Sequence, residues 1–577
     1  MSPKKPGRSL LDRLAGLPCP VLIGAAALVF VGLAVWGMAG ESNVFDEGAH
    51  LSTGYRVLAL GDYRVDPLAL PAVKSLAAMP LVFQDVRAPD DSEFGNYFLY
   101  AYAFLYRSGN DTGRLLASGR LVVVGMAVVL LIVVYAFARE LYGPRGGLVA
   151  LTLAAFSPNL LAHGHLVTLD LGTTLFWLLT LYAFFRVTRG VTPWALVACG
   201  LSLGTALASK MTSLLLLPTL ALATAIFVVA GGRFKLARGP EFLRGPIERR
   251  PWLVGAAVLV VAGLVALAVV WGFYGFRYAA SADPAVALEW KDGPAWVAVA
   301  RDHHLLPEGY LFAVSKAHWL VYGEVTERIG YALGTYSTGG RWWYFPFTFL
   351  VKTPVAAVAL YVLGLIALVR VATREVLRSH AWLLAGLAVY WAGSIAGELN
   401  VGNRHILPVY PMLMILAGGA ARMVRRKAWL YILLAGAISS GLLAAPHFLA
   451  YFNLPSSVIF ERHEMLVESN LDWGQDLPGL KRWMDDNGVE EVKLAYFGSA
   501  SPSYYGIRHQ RLPGYNVYSS FENESPPARE VERGDWVAIS ATNLRGLYLP
   551  RKDAYERFLT EEPVATIGHS ILIYRIP

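Results

Sequence analysis

Two cysteines in 577 residues, Cys19 and Cys199, leave no material for a disulfide framework or a Cys-based metal site. Charge is scarce as well. Asp, Glu, Lys and Arg make up 16% of the chain against 55% hydrophobic residues, a balance too apolar for a surface that faces water. No internal repeat and no low-complexity stretch is present. The formal charge of +8 does not point to nucleic acid, because the basic residues flank long apolar runs. In that position they read as topology signals and contacts to anionic lipid.

What the chain does have is a succession of apolar windows of about 20 residues, the length that crosses a hydrocarbon core. About eleven transmembrane helices are expected, near 18–38, 115–138, 146–162, 166–186, 192–209, 211–230, 252–274, 343–370, 380–397, 404–421 and 428–450. Loop charge gives an independent check, since short cytoplasmic loops collect Lys and Arg. Lys4, Lys5, Arg8 and Arg13 precede the first span, and Arg233, Lys235, Arg238, Arg244, Arg249 and Arg250 lie within 231–251. The turns with Arg139 and Arg145, Arg186 and Arg189, Arg374 and Arg378, and Arg422, Arg425, Arg426 and Lys427 fall on that same side when spans are counted alternately. The N-terminus is therefore expected in the cytoplasm and the C-terminus outside, in the cell inner (plasma) membrane. The first span has the basic start and small-residue end of a signal peptide, but its apolar stretch is long for one, and an uncleaved anchor is expected.

Three parts are expected outside the bilayer. The loop at 40–114 is too long and too patterned for a plain connection, and 47–60 and 71–83 read as helices lying along the membrane surface. A second outer loop, 275–342, ends in RWWYFPF, an interfacial aromatic belt. Residues 453–577 are polar enough for a small α/β domain, with a helix at 477–486 and strands at VKLAYFG, DWVAIS and ILIYRI. The division is thus 1–452, a membrane domain, and 453–577, an extracytoplasmic domain.

The residues suited to chemistry gather at the outer ends of the spans. In NVFDEGAHLSTGY, Asp46 and Glu47 follow the first span, and in a helix Asp46 shares a face with His50. This places one to tune the other for proton transfer; the competing reading makes Asp46 an N-cap. Lys74, in an apolar helix, reads either as a phosphate ligand or as a snorkelling side chain. SPNLLAHGHLVTLD supplies His163, His165 and Asp170, of which Asp170, nearest the membrane interior, carries the most functional weight. FLVKTP supplies Lys352, and GNRHILPVYP supplies Arg404 and His405. Cations on the side opposite to the positive-inside loops call for an anionic partner, either a ligand phosphate or an acidic side chain.

These stretches resemble the polyprenyl-phosphate-sugar-dependent membrane glycosyltransferases of the GT-C fold, related to the protein O-mannosyltransferases and to the aminoarabinose transferases acting on lipid A. The resemblance spans most of the chain: DEGAH after the first span, LALGDY, PAVK, Arg120 entering the second span, SPNLLAHGHLVTLD, ASKMTSLLLLP, GRWWYFPFTFLVKTP and NRHILPVYP. It implies an α-helical polytopic membrane protein of GT-C type, with Asp46 as catalytic base beside Glu47. It further implies Lys74 at the carrier phosphate; Arg120, Lys352, Arg404 and His405 are expected to join it there, and His50 and Asp170 to position acceptor or sugar. The chain departs from the mannosyltransferases where they read His-Pro-Pro before the lysine, since DPLALPAVK stands there. Their outer β-domain has no counterpart, and ESNLDWGQDLPGLKRW and AYFGSASPSYYGI look like a bacterial branch.

The expected reaction moves a sugar from a polyprenyl-phosphate carrier to an extracytoplasmic protein, lipid or glycan with inversion, Lys74 and Arg404 stabilising the departing phosphate. No cofactor is required by the resemblance; a divalent metal on Asp46, Glu47 and Asp170 is compatible with it. Asp472, Trp473 and Gln475 read as a packed turn or as carbohydrate contacts. The rival from another class is a transporter or flippase of lipid-linked sugars, which would use the same groove without a base.

Overall fold

The computed structural model describes residues 9–89, 96–235, 249–281, 283, 288–322, 329–424, 426–521 and 531–577. Of the basic topology residues, Lys4, Lys5, Arg8, Arg238, Arg244 and Arg425 lie outside the described residues.

Apolar helices dominate up to Leu443. Cys19–Ala39, Thr112–Ala155, Met211–Val229 and Pro251–Phe273 are long and apolar enough to cross a membrane by length and composition. The pair Tyr344–Lys352 and Val355–Arg370 adds a fifth if its bent halves form one span. Large apolar side chains such as Leu28, Val260 and Leu264 are exposed on these helices, as a lipid-facing surface requires. The other expected spans coincide with Leu169–Val187, Pro193–Leu207, Arg374–Ala396, Val409–Ala417 and Lys427–Leu443. The positions of the expected spans are thus helical, but the count of about eleven is larger than the number that length and composition alone support.

Three boundaries differ from expectation, each for a local reason. The spans expected at 115–138 and 146–162 run together as Thr112–Ala155, broken only at Gly143, whose φ of 79° takes it out of the helix ahead of Pro144. The chain then restarts as Pro158–His163, with Ser157 Oγ accepting from Leu160 N. The single span expected at 343–370 is bent by 115° between Lys352 and Val355, where Pro354 has no N–H to offer the preceding turn.

In the loop at 40–114 both expected helices form, as Glu47–Leu60 and Pro71–Ala78, the latter continued by a 3-10 turn at Met79–Phe83. They are packed against each other more closely than surface helices would be. A Cβ on Gly54 would stand 2.2 Å from the carbonyl oxygen of Lys74, so only glycine permits this approach.

A short antiparallel hairpin pairs β1 (Gly330–Ala332) with β2 (Thr335–Ser337). The C-terminal part carries a five-stranded sheet of β3 (Val492–Ala495), β4 (His509–Arg511), β5 (Trp536–Ser540), β6 (Ala565–Ile567) and β7 (Ile571–Arg575), in the order β4-β3-β5-β7-β6. β3 runs parallel to β4 and β5, whereas β7 is antiparallel to β5 and β6. The helix Leu477–Asp486 buries Leu477, Leu480 and Met484, spaced three and four residues apart, on one face. The three strands read from the sequence are β3, β5 and β7.

Candidate active site

A cavity of about 250 Å³ opens at the end of the helical bundle that meets the C-terminal part. Six stretches distant in sequence line it. Asp46 stands immediately before the helix Glu47–Leu60, and its side chain makes no capping bond, which sets the N-cap reading aside. His50 follows one turn later, its Nδ1 3.2 Å from Val167 O. Asp170 occupies the first turn of Leu169–Val187, where the helix dipole favours a carboxylate. Lys210 lies in extended backbone just past the helix Pro193–Leu207, and Arg404 in the 3-10 turn Asn403–Ile406.

The charges alternate. Arg404 Nη1 is 2.6 Å from Asp46 Oδ2 and 3.8 Å from Asp170 Oδ2, while Lys210 Nζ donates to Asp170 Oδ1 at 2.6 Å. Asp170 is 3% exposed, and a buried carboxylate is tolerable there because two cations face it. Asp46 keeps 24% of its side chain exposed, so water or a hydroxyl group can reach it. The indole of Trp473 lies under the guanidinium of Arg404, 4.2 Å from ring centroid to Cζ. Glu468 Oε1 is 3.9 Å from Arg404 Nη2, and burial pushes the Glu468 carboxyl up to about 7 although Arg404 opposes this. Such a site joins a proton acceptor to cations that suit an anionic leaving group.

The structure brings Asp46, His50, Asp170, Arg404 and His405 together around the cavity. It does not bring Glu47, Lys74, Arg120 or Lys352 there. Glu47 is wholly buried, its carboxylate accepting from Arg120 Nε and Nη2 at 2.8 and 2.7 Å and from Val167 N and Val44 N at 3.0 and 3.2 Å. Arg120 spends its remaining donors on the carbonyls of Met38, Glu41 and Ser42. Each ion is satisfied by the other, and neither Glu47, expected in catalysis, nor Arg120, expected at a phosphate, lines the cavity. Lys74 is not among the lining residues and donates to the carbonyl oxygen of Asp66, which is, at 2.8 Å; burial pushes its ammonium down, with Asp66 and Asp62 opposing. Lys352, 3% exposed, donates to Leu449 O and Asn470 O at 2.8 and 2.6 Å, and so ties its helix to the C-terminal part instead of facing a ligand.

His165 is held by Glu41 Oε2 at 2.8 Å and by Leu161 O. His163 is buried edge-on to Trp473. Neither lines the cavity. Among the described residues no group of three or more His, Cys, Asp or Glu is placed to hold a metal ion.

Residue-by-residue reading of the sequence missed Lys210, Asp66 and Tyr97, all of which line the cavity. Lys210 had a usable signal, a lysine between two apolar runs in ASKMTSLLLLP, expensive there without a partner. Asp66, 4% exposed, accepts from Ala69 N at 3.3 Å, and its Oδ2 has no partner among the described residues.

A family model described as dolichyl-phosphate-mannose-protein mannosyltransferase matches residues 103–274. No curated protein matches the chain at a significant level. The S. cerevisiae protein O-mannosyltransferase Pmt1–Pmt2 complex bound to the sugar donor has a similar structure, with TM-score 0.50 and 13% identity over 76% of this chain and 91% of that one. ArnT from Cupriavidus metallidurans bound to undecaprenyl phosphate aligns with TM-score 0.47 and 14% identity over 96% of this chain and 98% of that one. The sequence match covers less than a third of the chain and the structural likeness shows the fold: the chain shares the membrane architecture of the protein O-mannosyltransferase Pmt1–Pmt2 complex, and its residues 103–274 match the dolichyl-phosphate-mannose-protein mannosyltransferase model.

Proposed function

We propose that this chain is an inverting glycosyltransferase that takes a sugar from a polyprenyl-phosphate carrier and passes it to a protein, lipid or glycan hydroxyl outside the cytoplasm. The observation that carries the reading is the Asp46–Arg404 contact of 2.6 Å at the cavity, with Lys210 and Asp170 beside it. A carrier phosphate entering the cavity competes with Asp46 and Asp170 for Arg404 and Lys210. Asp46, released from Arg404, is then free to turn to the acceptor hydroxyl as a general base. It removes the acceptor proton as the acceptor oxygen bonds to the anomeric carbon. The bond from that carbon to the phosphate oxygen breaks on the opposite face, and the electron pair leaves with the phosphate, held by Arg404 and Lys210. His50 and Asp170 hold the reacting groups in register, a contribution that proximity makes large.

Asp66 supports a second reading, in which it is the base, because its Oδ2 has no partner among the described residues whereas Asp46 is engaged. One experiment separates them: transfer from radiolabelled polyprenyl-phosphate sugars to envelope acceptors by membranes carrying wild type, Asp46→Asn or Asp66→Asn. Asp46→Asn is expected to lose about 100-fold or more of transfer at unchanged protein level. Full transfer by Asp46→Asn with loss in Asp66→Asn would exchange their roles. Transfer is expected to survive chelators, since the mechanism uses no metal. No labelling with any donor would shift weight to a flippase.

The basic loops favour a cytoplasmic N-terminus and an extracytoplasmic C-terminal part. In a chain freed of Cys19 and Cys199, a membrane-impermeant maleimide on intact cells should label Asp486→Cys and spare Arg374→Cys, both exposed positions. The reverse pattern would invert the orientation.

A further inference from the structure

The segment Glu468–Asp476, reading ESNLDWGQD, touches both poles of the cavity. On one side it holds the loop that presents Asp46. Phe45 N donates to Trp473 O at 2.9 Å, Ser42 N to Gln475 O at 2.8 Å, and Ser42 Oγ to Gly474 O at 2.7 Å. On the other side it holds the turn that presents Arg404. Asn403 N donates to Asn470 Oδ1 at 2.9 Å, Trp473 lies under the guanidinium, and Glu468 faces Nη2. Lys352 clamps the same segment through Asn470 O. Asp46 and Arg404 lie 358 residues apart in the chain, yet this one stretch fixes where each of them stands.

The need for such a device follows from the reaction. An Arg404 held only by Asp46 would follow that carboxylate, and the cation would swing away when Asp46 turns to the acceptor. A guanidinium is planar, so an indole against one face and a carboxyl near one end leave its Nη1 edge pointing into the cavity whatever Asp46 does. Trp473 is 0% exposed, which desolvates the cation–π contact and strengthens it. Glu468 itself adopts φ of 57°, a left-handed conformation uncommon outside glycine. Strain of that kind persists only where the surroundings over-determine the position. The surroundings here include its oxygen toward Arg404 and its backbone N–H, which donates to Thr542 Oγ1 at 3.1 Å.

We propose that Glu468–Asp476 is part of the active site, with Trp473 the positioning residue that aims Arg404 at a lipid-linked phosphate and, through its carbonyl, steadies the loop bearing Asp46. The proposal rests on the reading that Arg404 meets the carrier phosphate. It makes the C-terminal part a component of the donor site, beyond any role in covering it or in recognising the acceptor.

The test is binding of undecaprenyl phosphate, and of undecaprenol as the phosphate-free probe, to the full chain in detergent or nanodiscs. Site-specific replacement of Trp473 by mono-, di- and trifluorotryptophan withdraws π density at nearly constant shape. Undecaprenyl phosphate affinity is expected to fall stepwise along that series, to about a tenth for the trifluoro residue, an order of magnitude suited to a desolvated cation–π contact. Undecaprenol binding should not move. Trp473→Leu should lose at least as much, Trp473→Phe should recover part of it, and Trp473→Leu should add little in an Arg404→Ala background. A flat fluorotryptophan series while Arg404→Ala weakens undecaprenyl phosphate overturns the role of Trp473 and leaves the phosphate reading standing. No effect of Arg404→Ala overturns the phosphate reading itself. The series decides even if Trp473→Leu fails to fold, because fluorination leaves the packing in place.

Discussion

Glu47 and Asp46 are neighbours with opposite fates, and helical geometry explains why. Successive residues of a helix point about 100° apart, so when Asp46 faces the cavity Glu47 must face the packed interior. There its four hydrogen bonds, two of them from the Arg120 guanidinium, make it a fixture of the fold. Removing one partner of a buried ion pair strands the other charge, at a cost of about 3–5 kcal/mol. Glu47→Ala is therefore expected to lower the melting temperature and the folded yield sharply, whereas Asp46→Asn should fold normally and fail in transfer. A Glu47→Ala protein with wild-type melting and no transfer would return Glu47 to the chemistry. The DEGAH motif announced that an acidic site begins here, and in that sense the site was legible. Which carboxylate is buried in the packed interior was not, because the deciding partner, Arg120, lies 73 residues away. The same holds for Lys74 and Lys352. A lysine in an apolar helix must find a partner, but sequence does not say whether that partner is a ligand or a main-chain carbonyl.

At the level of elements, hydropathy located the helices and local chemistry located their breaks. The expected segments 47–60 and 477–486 coincide with Glu47–Leu60 and Leu477–Asp486, where apolar periodicity is bounded by clear stops such as Gly61, at φ of 60°. Hydropathy failed where a span is apolar throughout but broken. Thr353–Pro354 turns one expected helix into two at 115°, and the break has a consequence: it directs Lys352 Nζ onto the carbonyls of Leu449 and Asn470, so a helix end becomes an anchor for the segment that carries Trp473. Gly54 acts likewise for the two helices of the first loop. Its missing Cβ lets Pro71–Ala78 close on Glu47–Leu60, which puts Asp66, on the connection between them, on the same cavity as Asp46. That approach could be suspected from a glycine inside a helix but not assigned, since its partner is a main-chain atom of another element.

Over the whole molecule, the membrane character was readable from composition, whereas the dependence of the active site on the C-terminal part was not, because every contact between them is long-range. That junction also stores three carboxyls under unusual conditions. Glu468, Asp472 and Asp476 are each pushed by burial up to about 7. Asp472 Oδ2 accepts from Thr542 N at 2.8 Å, and Asp476 Oδ2 from Ser570 Oγ at 2.7 Å and Gln475 Nε2 at 3.0 Å. Arg404 near Glu468, and Arg482 acting on Asp476, are the cationic groups that oppose the shifts without cancelling them. A carboxyl whose folded pKa is raised holds a proton that the unfolded chain releases, so its contribution is fully present below the unfolded pKa and is lost as pH rises through the folded one. For these three groups the window runs from about pH 4 to about pH 7, with a slope of about 1.4 kcal/mol per pH unit for each group fully inside it. Asp472→Asn removes one titration while keeping an oxygen for Thr542 N. The variant should melt at a temperature that gains on wild type steadily from about pH 5 to about pH 7 and no further above that. A gain in the opposite direction, with wild type improving relative to the variant as pH rises, would mean that Asp472 is ionised in the folded protein. The junction would then hold its charge by a pairing other than the one described.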